Sequence, residues 1–153
     1  MSGAELVVFA SISCSVVCWA AGEAIRSRHA WLAGALLAMI HAVAAFGVFY
    51  QWNHTTAERL TALQAAQLTG VSVSGGIYVN YAFLAIWLID AVWWSARPIS
   101  YERRPRALSL AIRLFLFAIV VSGAIVFADG MARIVGVAAV AWVVFMRIRR
   151  ARR

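Results

Sequence analysis

Five long apolar stretches, broken by short polar segments with arginines massed on alternate breaks, constrain this chain more than any other feature. A helix needs about 20 apolar residues to cross a ~30 Å hydrocarbon layer, and in lipid every backbone N–H and C=O must be paired within the protein, which leaves helices or closed barrels. The pattern predicts spans over 5–25, 30–52, 76–96, 108–128 and 131–147. At 64% hydrophobic and 13% charged residues, the composition lies well outside that of water-soluble domains. The expected fold is all-α: a polytopic membrane helical bundle of five transmembrane helices with a short outer surface helix. Residues 1–147 form a single transmembrane domain in this reading, and 148–153 form a basic cytoplasmic tail that frays.

The formal net charge of +8 does not point to nucleic acid, because the arginines flank apolar spans instead of lining one soluble face. Their placement sets an orientation. Twelve of the fourteen cationic side chains fall on one side, and only Arg59 and Arg133 fall opposite. By the positive-inside rule the C-terminus is cytoplasmic and, with five spans, the N-terminus is outside. All fourteen are Arg and none is Lys, which fits a GC-rich bacterial genome and hence the bacterial inner membrane. The leading Met1 to Glu5 segment carries no positive charge, so the first span is expected to be retained and not cleaved as a signal. Tyr50, Trp52, Tyr78 and Tyr81 are expected in the outer interfacial belt, and Trp31, Trp93, Trp94, Tyr101 and Trp142 in the inner one. Trp19 and Trp87 are placed deeper.

The outer break from Asn53 to Gly75 is the only one long enough for structure of its own. Thr55-Thr56-Ala57-Glu58 fits a capping box, and Leu60, Leu63 and Leu68 give one apolar face to a helix ending at Gly70, followed by a flexible re-entry over 71–76. Helices in lipid associate by close backbone approach, so rows of small residues mark contacts. Ser11, Ser15, Cys18 and Gly22 form one such row, Gly34, Ala38, His41 and Ala45 another, and Ser122, Gly123 and Gly136 extend the pattern. Cys14 and Cys18 share a helix face on a rigid backbone that suits a disulfide badly, and they read as small buried hydrophobes.

Ionisable groups within a membrane are costly, so each is a functional candidate. Asp90 and Arg113 lie at similar depth, about 9 Å from the same end of two neighbouring helices, and an ion pair between them is expected. His41 sits near mid-membrane on a packing face and is a candidate ligand for haem or a transition metal. His54 and Glu58, four residues apart, are a second candidate metal pair and, with Asn80, Tyr78 and Tyr81, outline an outward polar pocket. His41 and His54 stand about 20 Å apart along a continuous helix, too far to share one metal. The sequence contains no HExxH, GxSxG, Walker or CxxCH motif.

The function that fits this inventory is a non-catalytic scaffold or accessory subunit of a membrane complex, partnered by the lipid bilayer and by other membrane subunits or further copies of itself. Two alternatives are a haem- or metal-binding protein for electron transfer or metal handling, using His41 or His54, and a small-solute or proton transporter using Asp90.

Overall fold

The computed structural model describes residues 2–70 and 75–152, and its described residues are helical apart from short connections. Five helices are long and apolar enough to cross a membrane: α1 (Gly3–Ile25), α2 (Arg28–Val48), α4 (Gly76–Ala96), α6 (Arg106–Val121, continued by a π-helical turn Ser122–Val126) and α7 (Gly130–Ala151). Two shorter helices lie between them, α3 (His54–Thr69) and α5 (Pro98–Glu102). The five-helix bundle read from hydropathy is therefore present, and the protein is a small membrane protein. The side chain of Leu68 and the re-entry over 71–74 lie outside the described residues.

Local chemistry sets each boundary. α1 opens on a capping box in which Ser2 Oγ accepts from the Glu5 amide at 3.2 Å while the Glu5 carboxylate accepts from the Ser2 amide at 2.8 Å. It ends at Arg26, which takes the left-handed conformation, and Ser27 then caps α2 by accepting from the Ala30 amide. Two residues thus reverse the chain. α2 stops at Val48 instead of continuing to 52, because Gln51 and Trp52 adopt positive φ (48° and 59°) and the Trp52 amide turns back to the Phe46 carbonyl at 3.1 Å. α3 is capped by Asn53, whose side chain accepts from the Thr56 amide, and not by Thr55 as the capping-box spacing suggests. Asn is as good a cap as Thr, and it stands where the chain is still extended. Gly70, at φ 75°, ends α3 where the sequence placed the end. α7 runs unbroken into the residues read as a frayed tail.

The helices form a closed ring in which α1 contacts α2 and α7, α2 contacts α4, α4 contacts α6, and α6 with its π turn contacts α7. α1 and α2 are antiparallel in tight register: Ser15 donates to the Gly34 carbonyl at 2.8 Å and, two turns away, His41 donates to the Val8 carbonyl at 2.9 Å. Small residues set this closeness. A side chain at Gly22 would meet the Trp31 ring of α2 at 2.7 Å, and one at Gly34 would meet the Trp19 amide of α1 at 3.2 Å and, on its other side, the Trp87 ring of α4 at 2.7 Å. A Cβ at Gly136 would collide with the Ala124 carbonyl in the π turn. Gly136 was legible as a contact point; the π turn that it packs against was not.

Trp19, Trp31, Trp87, Leu116 and Val143 are almost wholly buried at the centre, and Trp19 meets Phe117 across the ring at a centroid separation of 6.0 Å. Trp31, Trp94 and Tyr101, expected at a lipid interface, are instead packed inside the bundle. The polar edges of Trp31 and Tyr101 find buried partners there, so they need no headgroup layer. Each spanning helix also exposes large apolar side chains, among them Leu6, Ile40, Ile89, Leu114 and Ile134, as a lipid-facing surface requires.

Candidate functional site

The densest polar chemistry lies at the Arg-rich end. Asp90 on α4 is 2% exposed, and its carboxylate accepts from three donors: the Arg104 guanidinium, the Trp31 indole N–H at 2.9 Å and the Tyr101 hydroxyl at 2.9 Å. Arg104 also donates from Nε to Ser109 Oγ at 2.7 Å and from Nη2 to the Tyr101 hydroxyl at 2.8 Å, and its guanidinium lies 3.7 Å from the centre of the Tyr101 ring. One cluster therefore joins α2, α4, α5 and the start of α6. An isolated carboxylate in such a place would be prohibitively costly; three donors, one of them the Arg104 cation, offset that cost.

The turn Arg97–Pro105 makes this possible. Pro98 occupies the first turn of α5, where its missing N–H costs nothing, and the five-residue helix swings Tyr101 back up against the bundle. Tyr101 stacks on Trp94 with ring planes 6° apart and meets Trp93 edge-on. Burial first, and then the Asp90 carboxylate, push the Tyr101 phenol well above its usual range, so it stays a neutral donor into strongly alkaline solution.

The expected Asp90–Arg113 pair is not formed. Arg104 takes Asp90, and Arg113 faces Glu23 on α1, Nε to Oε1 at 3.6 Å. Matched depth is only one of two coordinates. Arg113 stands three and seven residues before the buried Leu116 and Val120, so its rotational phase turns it inward to α1 and not sideways to Asp90. Glu23, which is buried, also pairs with Arg147 of α7, and Arg150 donates to the Ala24 carbonyl. These contacts tie the last turns of α7 to the end of α1.

At the opposite end, the rings of His54, Tyr78 and Tyr81 meet with centroids 5.8–6.1 Å apart. All three are exposed. Glu58 lies one turn further along α3 and is half-buried, whereas Asn80 lies two residues beyond Tyr78, about 200° around α4, and is turned away from that ring group. Of the predicted pocket residues, the fold thus brings His54, Tyr78 and Tyr81 into mutual contact.

His41 is bonded through Nδ1 to the Val8 carbonyl; a carbonyl only accepts, so Nδ1 carries the proton of this bond. Among the described residues no three His, Cys, Asp or Glu side chains gather as a metal-ligand set. Cys14 faces outward and Cys18 is half-buried, both as free thiols.

The sequence does not single out Arg104 or Glu23 as site residues, and it marks Trp31 and Tyr101 only as interfacial aromatics. Glu23 had a signal: it is a carboxylate inside an apolar stretch, one turn from a cation-rich end. Comparison with protein-family models, with curated proteins and with solved structures finds no match for this chain.

Proposed function

We propose that this protein is a non-catalytic scaffold or accessory subunit of a membrane complex, in a bacterial inner membrane with its Arg-rich end in the cytoplasm. The observation that carries this reading is the enclosure of Asp90, which is 2% exposed and, among the described residues, accepts from Arg104, Trp31 and Tyr101. A carboxylate used to relay protons must exchange them with water or substrate, and one buried against a guanidinium, a phenol and an indole is better suited to holding helices together. Glu23 is used in the same way, on Arg113 and Arg147. The exposed rings of His54, Tyr78 and Tyr81, with the half-buried Glu58 one turn along α3, are the surface through which an outer partner or ligand would be met, and Asn80 faces elsewhere on α4.

Gentle extraction from native membranes followed by cross-linking and native mass spectrometry tests this reading. A second polypeptide, or a second copy of this one, is expected in fixed stoichiometry. A lone monomer that carries pH-driven flux in liposomes, lost in Asp90→Asn, would overturn it in favour of transport. A lone monomer with a Soret band or one bound transition metal per chain would overturn it in favour of a His41 or His54 cofactor site.

A further inference from the structure

An open cleft of about 730 Å³ lies beneath the Asp90 cluster, between the end of α4 and the turn that carries α5. Its cationic wall is made by Arg97, Arg103 and Arg104, and its apolar wall by Trp93, Pro98 and Ile99. Arg104 is neutralised by Asp90, whereas Arg97 and Arg103 are exposed and, among the described residues, in no ion pair. Glu102, the acidic neighbour in sequence, does not line the cleft. Two unneutralised guanidiniums therefore share one cleft with an exposed isoleucine and a tryptophan ring, at the height where a spanning helix leaves the hydrocarbon.

We propose that this cleft holds the headgroup of one anionic phospholipid, with Arg97 and Arg103 on its phosphate and the Ile99 side of the cleft against its glycerol and first acyl carbons. Charge complementarity argues for an anion, and guanidinium forks suit phosphate oxygens in particular. The apolar wall argues for a lipid over a free ion. Ile99 is 68% exposed on α5, and on α4 the exposed Ile89 and Val92 stand one helical turn before Trp93 and Ala96 of the cleft wall, apolar surface that an acyl chain would use and inorganic phosphate would not. The bound headgroup would sit directly under the Arg104–Tyr101 stack, so occupancy would stiffen the element that encloses Asp90.

The test uses the full chain in neutral detergent, titrated with phosphatidylglycerol, phosphatidylcholine or sodium phosphate and read by native mass spectrometry and thermal unfolding. One phosphatidylglycerol is expected to bind saturably, raising the unfolding temperature and binding at least about tenfold more tightly than phosphatidylcholine. The Arg97→Ala/Arg103→Ala variant should bind it on the order of thirtyfold more weakly. Arg149→Ala/Arg152→Ala, which removes the same charge from the end of α7, should bind as the parent does. Both substituted pairs are exposed and outside the internal ion pairs, and unchanged helicity and lipid-free unfolding temperature would establish that the variants fold. Equal affinity for the two lipids would overturn the proposal. So would undiminished binding by the Arg97/Arg103 variant, or a loss that follows the α7 variant instead. Displacement of the lipid by equimolar sodium phosphate would overturn the lipid as occupant.

Discussion

At the Arg-rich end, Asp90 and Glu23 are enclosed by donors from other elements of the chain, whereas at the opposite end the contacts among the described residues His54, Tyr78 and Tyr81 are between exposed rings. The difference teaches where each end puts its polar groups. In lipid, helix–helix contact gains little from hydrophobic burial, so a buried, fully bonded polar cluster is an effective way to fix helix order and register. Exposed rings contribute little to holding the bundle and remain available to something outside it. The first end is architecture; the second is surface.

Ways to break that comparison follow in order of size. Replacing Arg104 by Gln leaves Asp90 buried without its cation and is expected to cost roughly 3–5 kcal/mol, measured as lost stability to denaturant in detergent. A loss below about 1 kcal/mol would mean that the cluster is not architectural. The opposite half has a tight point of its own, where Gly136 lies against the Ala124 carbonyl. Gly136→Ala should cost about 1–3 kcal/mol by overpacking against backbone that cannot yield, seen as a lowered unfolding temperature. Full stability in that variant would mean that the π turn adapts freely.

Tyr101 sharpens the comparison through pH. Its phenol is raised in the folded state above the usual value of about 10, so the unfolded chain loses that proton first. Its contribution is therefore complete below about pH 10 and is lost as pH rises further. Stability should fall between about pH 10 and 11 more steeply in the parent than in Tyr101→Phe, and identical slopes would contradict the enclosure of this hydroxyl. The smallest effect is expected at the open end, where His54→Ala should change stability by less than about 0.5 kcal/mol while weakening any outer contact detected by cross-linking.

Much of this architecture is legible in the sequence. Five spans follow from apolar length alone, and Gly70 marked the end of α3 through its preference for positive φ. The rows around Gly22, Gly34 and Gly136 pointed to close contacts because little else in a membrane lets backbones approach. The partner of Asp90 was not legible. Depth along a helix can be counted from sequence, but the phase that turns Arg113 to Glu23 depends on how the ring closes. Arg104 was harder still, since it reaches the core only because Pro98 starts a short helix that folds the connection back upward. The π turn at Ser122–Val126 left no mark in the apolar pattern, because one extra residue in a turn changes phase without changing hydropathy.

The claim on which the rest stands is that Asp90 and Arg104 are mutually dependent within one buried cluster. A double-mutant cycle of Asp90→Asn and Arg104→Gln, measured by equilibrium unfolding in detergent, tests it most directly. Each single change should be strongly destabilising, and the double variant should be clearly more stable than the two losses added together, with a coupling of about 2 kcal/mol or more. Additive losses would mean that the two side chains act independently, and the account of a polar cluster that joins α2, α4, α5 and α6 would be contradicted.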